Sequence, residues 1–312
     1  MAVITTPAQI AEQVARQVAR DGRKDVSGTL FRSALALATL ASVLSLGVLL
    51  VVMVVDGWSV LTGRLGQFLG SGFSQRSAAD AGVFHGILGS LQIALLTAVF
   101  AIPVGVGTAV YLVEYSRGGW FARLVELNIR NLAGVPSIVY GLLGLAVFVK
   151  TLGAFTQGKT VIAGGMTLAA MVLPLIVIAS IEALRAVPQQ LREAAYGVGA
   201  TQWEAVTRQV LPAALPAVLT GIVLALSRAL GEAAPLILVG AATGFISFGD
   251  ASLAESFTGP FTAVPVLIFN FARQPGADWS ENAAAASVVI LAVVLVVNGL
   301  ALYLRQRFER RW

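Results

Sequence analysis

Apolar residues run along this chain in long blocks, and most of the charge sits in the short stretches between them. A helix needs about 20 predominantly apolar residues to cross the hydrocarbon core of a bilayer. Six stretches approach or exceed that length: 34–55, 87–113, 132–149, 161–181, 213–241 and 284–304. Ahead of the first, Ile10, Val14 and Val18 recur at helical spacing with charges between them, which predicts a short amphipathic helix over 8–20. The first apolar run is longer than the core of a secretory leader, so it reads as an uncleaved anchor. The pattern predicts an all-α membrane protein: a polar segment 1–32, a transmembrane domain 33–304 and a basic tail 305–312. No internal repeat is visible, so an inverted-repeat secondary transporter gains no support.

Composition agrees with the pattern. Hydrophobic residues make up 57% of the 312 and charged residues only 12%, against about a quarter charged in an ordinary soluble domain. The net charge of +5 marks a nucleic-acid partner only where it gathers on one exposed face, and here it follows the loops. With the amino terminus inside, fifteen basic residues fall on the cytoplasmic side: Arg16, Arg20, Arg23, Lys24, Arg32, Arg117, Arg123, Arg130, Arg185, Arg192, Arg208, Arg305, Arg307, Arg310 and Arg311. Arg64, Arg76, Lys150, Lys159 and Arg273 fall outside. That asymmetry predicts both termini in the cytoplasm. There is no cysteine and one histidine, His85, at the outer mouth of the second span. Disulfides and cysteine metal sites are excluded, and no cofactor is expected.

One motif misleads. Residues 153–160, GAFTQGKT, satisfy the phosphate-loop pattern, and VVMVVD ending at Asp56 resembles a strand that would hold a magnesium-binding carboxylate. A phosphate loop works only where a strand delivers backbone amides to the start of a helix in an α/β domain. Here the motif lies between two apolar spans on the outer side, so it reads as a turn.

The most informative segment lies between the fourth and fifth spans, from Pro188 to Pro216. Pro188 can open a helix, Gly197 and Gly199 supply a break, and Thr201 with Glu204 has capping-box spacing. Pro212 and Pro216 mark the start of the fifth span. The pattern predicts two short helices forming a rigid cytoplasmic knob. Glu193, Ala194, Ala195, Gly199, Leu211 and Pro212 stand in the register of the Glu-Ala-Ala loop of ABC importer permeases, which this segment resembles; Gln209 departs from it, at a position usually aliphatic. The resemblance implies a six-helix fold of the type I importer kind, with loop 188–212 coupling the permease to a separate ATPase. The chain would have no ATPase of its own.

Three further stretches, NLAGVPSIVYGLLGL at 131–145, EALRAVPQQLREAA at 182–195 and ALSRALGEAAPLIL at 225–238, with IFNFARQP at 268–275, resemble the PstA family of phosphate-importer permeases. The related PstC family shares several of them. The resemblance implies import of inorganic phosphate through the bacterial inner membrane. It also implies as partners a PstC-like second permease, two PstB-like ATPase subunits and a PstS-like extracytoplasmic binding protein. Import of another small oxyanion is the alternative.

Within the spans the ionisable residues are Arg228 and Glu232, about one turn apart on the fifth span. A charge at membrane depth is costly and marks function by default. The guanidinium fork suits a phosphate oxygen edge, and Glu232 can accept from a protonated phosphate and keep the arginine from trapping the anion. A neutralised structural pair is the alternative. Pro136 and Ser137 permit either a broken third span that offers polar backbone to an ion or a simple kink. In the outer loop 242–283, Phe245, Phe248, Phe257, Phe261 and Phe271 with Asp250, Glu255 and Asp278 suggest either a docking face for the binding protein or interfacial anchors.

Overall fold

The computed structural model describes residues 12, 26–116, 118–241 and 257–308, and every regular element among them is helical. The amphipathic helix expected over 8–20 falls, apart from residue 12, outside the described residues.

The chain divides into two units, Met1–Val52 and Met53–Trp312. Among the described residues the first holds residue 12 and most of helix α1, Val26–Asp56, whose apolar side chains from Leu35 to Val55 are largely exposed. Such a surface suits lipid or an apolar partner. Its 31 residues span about 46 Å at 1.5 Å per residue, more than a hydrocarbon core needs. Hydroxyls in its middle are satisfied within the helix: Thr39 donates to the Leu35 carbonyl and Ser42 to that of Ala38, both at 2.9 Å. Asp56 therefore ends a helix rather than a strand.

The second unit contains α2 (Trp58–Gly63), α3 (Leu65–Gly70) and α4 (Phe84–Val110, continued by a π-helical turn Tyr111–Tyr115). Helices α5 (Trp120–Ala133) and α6 follow, α6 running from Ser137 to Thr151 and ending in a π-helical turn from Leu145. After α7 (Val161–Arg185) and α8 (Gln189–Gly197), α9 is helical from Gln202 to Leu230, with a π-helical turn at Val206–Val210. Then come α10 (Ala234–Val239), α11 (Val264–Arg273) and α12 (Ala277–Phe308). Helix α7 is the buried axis: Val172, Ile176, Leu184, Thr167 and Ser180 are inaccessible to solvent, and α4 and α9 pack along it. Small residues let the backbones close up, as small side chains do between helices in lipid. A Cβ at Gly105 would lie 2.7 Å from Ile176 Cγ2.

Five helices are long and apolar enough to cross a membrane, six if α5 and α6 count as one bent span. Three expectations need correction. The third span is not one helix over 132–149: it bends by 103° at Gly134–Pro136, where the proline removes a donor and its ring crowds the preceding turn. The fifth does not run unbroken over 213–241. It begins at Gln202, stops at Leu230 and resumes at Ala234, because Pro235 cannot donate back to Gly231. Nor is 257–283 simply a loop, since it contains α11 and the start of α12.

Candidate functional sites

Helix α8 opens after Pro188 and exposes Glu193, Ala194, Tyr196 and Gly197, while Ala195 is buried against the body of the unit. At its end the Gly199 amide donates to the Tyr196 carbonyl at 2.9 Å, and the Ala200 amide to that of Ala195 at 3.1 Å. Gly199 sits at φ +83° with no heavy atom near an added Cβ, so conformation rather than space requires glycine there. Thr201 and Glu204 form the expected reciprocal cap: the Thr201 amide donates to Glu204 Oε2 at 3.0 Å, and Thr201 Oγ1 accepts from the Glu204 amide at 3.3 Å.

The helix that begins there is not a second short one. It continues into the membrane as α9, and the π-helical turn at Val206–Val210 relieves the clash that Pro212 would impose on the carbonyl four residues back. Ala195, Val198, Gly199, Ala200, Glu204, Arg208 and Gln209 line an open hollow of about 330 Å³. Gln209, the departure from the family pattern, gives that hollow a polar side chain. Leu211 is half-buried and Pro212 exposed just beyond it. The structure also exposes Val198 (86%) and Trp203 (66%) beside the hollow. The sequence reading passed over both, although a tryptophan in a polar loop was a signal for them. The two put apolar surface next to a charged hollow.

The second site lies where α9 stops. Arg228 is in the last turn of α9 and Glu232 follows it, with Nε 3.5 Å from Oε1. The pair predicted from the sequence exists, but at a helix end, not on one face of a continuous span. The separation is at the limit for a hydrogen bond, and the terminal nitrogens of Arg228 make no hydrogen bond among the described residues. Ser227 alongside donates to Asn298 Oδ1 at 2.5 Å, tying α9 to α12; Asn298 is a polar residue in the last span that sequence reading did not single out. Ser137 is half-buried at the start of α6, just after the 103° bend. Tyr140, itself buried, holds that bend by donating to the Leu132 carbonyl at 2.8 Å. Helices α6 and α10 meet so closely that a Cβ on Gly141 would lie 2.7 Å from Pro235 Cα. Packing thus joins the helices that follow the two breaks, while Arg228 pairs with Glu232 and not with Ser137.

Elsewhere the motifs resolve as scaffolding. No strand leads into residues 153–160: Gln157 and Gly158 turn at φ 60° and 88°, and Thr160 caps α7 by accepting from the Ala163 amide. His85 packs beneath Gly72 and against the Phe84 ring. Phe261 and Phe271 are fully buried, contrary to a role on a docking face. Phe271 stacks on Trp279 at 5.8 Å and tilts against Phe73 at 5.4 Å. Phe257 is half-buried and Asp278 exposed, while Phe245, Phe248, Asp250 and Glu255 lie outside the described residues. Arg64 fastens α3 to α12 by donating to the carbonyls of Ala78, Ala79 and Ala81 and to Asn282 Oδ1. Burial lowers its pKa, opposed by Asp80, Glu281 and Asp278.

A family model described as the binding-protein-dependent transport system inner membrane component matches residues 101–312. The chain is 34% identical over 265 residues to the phosphate transport system permease protein PstA 1 of Mycobacterium tuberculosis (strain CDC 1551 / Oshkosh), covering 84% of this chain and 83% of that protein. It is 34% identical over 225 residues to the phosphate transport system permease protein PstA of Yersinia pestis, covering 72% of each. Among solved structures it superposes on a chain of a bacterial alginate ABC transporter in complex with an alginate pentasaccharide-bound periplasmic protein. The TM-score is 0.65 at 17% identity, over 91% of this chain and 96% of that one. A chain of the inward-facing MetNI methionine ABC transporter gives 0.55 at 18% identity, over 73% of this chain and 96% of that one. At such identities the likeness shows the fold, that of ABC importer permeases.

Proposed function

The chain belongs to the family of binding-protein-dependent transport system inner membrane components, and we propose on that footing that it is the permease subunit that carries inorganic phosphate into the cytoplasm. Its relatives named PstA support phosphate as cargo and favour the PstA over the PstC role. The working unit contains a PstC-like second permease, two PstB-like ATPase subunits and a PstS-like binding protein. Both termini face the cytoplasm, on the same side as α8. ATP is hydrolysed by the partner subunits, which grip the exposed edge of α8, with Glu193, Ala194 and Gly199, and the hollow beside Val198 and Trp203. Ala195, Leu211 and Pro212 support that edge from beneath.

The observation that carries the cargo reading is the Arg228 fork, half exposed and held, among the described residues, by one long contact at a break in a spanning helix. Unused guanidinium donors at membrane depth suit an oxyanion. Glu232 weakens the arginine's hold so that the anion can leave, and its carboxylate can accept from a protonated phosphate, a donor that fully deprotonated sulfate lacks. The smaller hydroxyl of Ser137 stands at the neighbouring break.

The test is phosphate uptake by the full complex in proteoliposomes. Arg228→Gln should abolish uptake while the complex still assembles. Neutralising Arg228 and Glu232 together should also leave it abolished. Uptake restored by the double change would make the pair a scaffold and remove the cargo reading from it.

A further inference from the structure

The face of α8 opposite its exposed edge carries the least exposed ion pair among the described residues. Arg192 donates Nη2 to Glu114 Oε1 at 2.7 Å and Nε to Glu114 Oε2 at 3.3 Å. The side chains are only 11% and 5% exposed, whereas the neighbouring network of Arg130 and Arg185 with Glu126 is far more open on its arginine side. The same guanidinium donates to two backbone carbonyls at the end of α7, Val187 at 2.8 Å and Leu184 at 3.0 Å. Glu114 lies on the π-helical turn that closes α4, and its backbone carbonyl accepts from Gln202 Nε2 at the start of α9. One arginine and one glutamate therefore gather the ends of α4 and α7, the coupling helix α8 and the first turn of α9.

A buried ion pair is a poor source of net stability, because desolvation offsets its attraction. What a bidentate pair with its other donors committed does supply is fixed relative orientation. Without it, α8 is held by residues 186–188 before it, by 198–201 after it and by the apolar contacts of Leu191 and Ala195 beneath it, none of which fixes a direction, and a displacement would pass along the chain into α9. With it, the displacement also reaches α4 and α7, the central helices of the unit.

We propose that Arg192 and Glu114 are positioning residues that form a transmission joint, converting movement of α8 into a joint movement of α4, α7 and α9. This rests on the reading of 188–212 as the ATPase-coupling surface. The joint touches neither nucleotide nor cargo. It sets how much transport each hydrolysis event produces.

The experiment measures phosphate uptake and ATP hydrolysis in the same proteoliposomes, with full-length protein, its partner subunits and binding protein. Glu114→Gln and Arg192→Gln should each raise the ATP consumed per phosphate, on the order of tenfold, within the range of ordinary couplings between sites. The double variant should be no worse than either single one, since both act through one contact. Uptake and hydrolysis that fall together, at an unchanged ratio, would show a merely structural staple and overturn the joint. If the glutamine variants fail to assemble, Arg192→Lys carries the test. It keeps the charge beside Glu114 and loses the fork, so an unchanged ratio there also overturns the proposal. Gly199→Val on the exposed edge separates the two readings. A ratio raised by Gly199→Val but not by the joint variants sinks the joint alone, and a ratio raised by neither sinks the coupling reading with it.

Discussion

The conformation of Gly199 gives a prediction that the surrounding space does not. Its φ of +83° lies in the left-handed region, and nothing stands within 4 Å of a Cβ built there. A substitution therefore meets no wall, and its cost is the backbone preference of an L-residue, about 1–2 kcal/mol. That cost lowers the occupancy of the native turn relative to its alternatives by a factor of about 5–30. Asparagine tolerates the left-handed region better than other side chains, and β-branched residues worst. The expected order of efficiency is thus Gly199, then Asn, then Ala, then Val, set by φ and not by volume. Gly197 is the control: it also has open space around it and carries no positive φ, so Gly197→Ala should cost nothing and favour the last turn of α8 by about 0.5–1 kcal/mol. The assay is the ratio of phosphate uptake to ATP hydrolysis in reconstituted complex, with assembly checked by co-purification of the ATPase. An Asn variant as impaired as Val would refute the conformational reasoning and point to a clash with a partner surface. A Val variant equal to wild type would show that the turn is not needed for coupling.

Three further outcomes follow from the same geometry. Single cysteines at Lys159 and Arg307 should label from opposite faces of intact cells, and labelling of both from one face would overturn the proposed orientation. Thr201→Ala removes one half of the capping box and should cost about 1 kcal/mol in stability of the first turn of α9; hydrogen exchange at the Glu204 amide, which Thr201 now holds, should speed up accordingly. Phe271→Ala empties a fully buried site between Phe73 and Trp279 and should cost about 3–5 kcal/mol, read as a drop in the thermal midpoint of purified protein, while a change at exposed Asp278 should leave that midpoint in place.

The spans and the turn structure of 188–212 were legible because each rests on a local signal: block hydrophobicity for the helices, and Pro188, Gly199, Thr201 and Glu204 for the turn chemistry. The breaks were less legible. An apolar run satisfies lipid and protein core equally, so 213–241 read as one span although Pro235 lies inside it, and at Pro136 the sequence left a break and a simple kink both open. The direction of the outer phenylalanines was not legible either, since Phe261 is buried where it meets Gly164 of α7 and Phe271 where it meets Phe68, Phe73 and Trp279, all distant in sequence or in other elements. Arg228 and Glu232 were found by their cost in a membrane. Their place at a helix end required the break at Gly231–Ala233 to be seen.

Least legible of all was the pair Glu114–Arg192, whose members are 78 residues apart. Each looks like an ordinary charge at the edge of a span. What distinguishes them is helix geometry: two of the three π-helical turns, Tyr111–Tyr115 and Val206–Val210, lie at the end of the molecule that carries α8. A π-helical turn inserts one extra residue and so rotates what lies on one side of it against the other. In α4 the turn carries Glu114 to the Arg192 fork; in α9 it follows the capping box and absorbs the demand of Pro212 on the helix before it. Both helices are therefore irregular close to where α8 is clamped and regular along α7, the buried axis. That arrangement places the adaptable backbone beside α8 and the rigid packing along α7. A push on α8 is then absorbed first at the two turns, and the Glu114–Arg192 contact, with the Arg192 bonds to the Leu184 and Val187 carbonyls, carries it to α4 and α7.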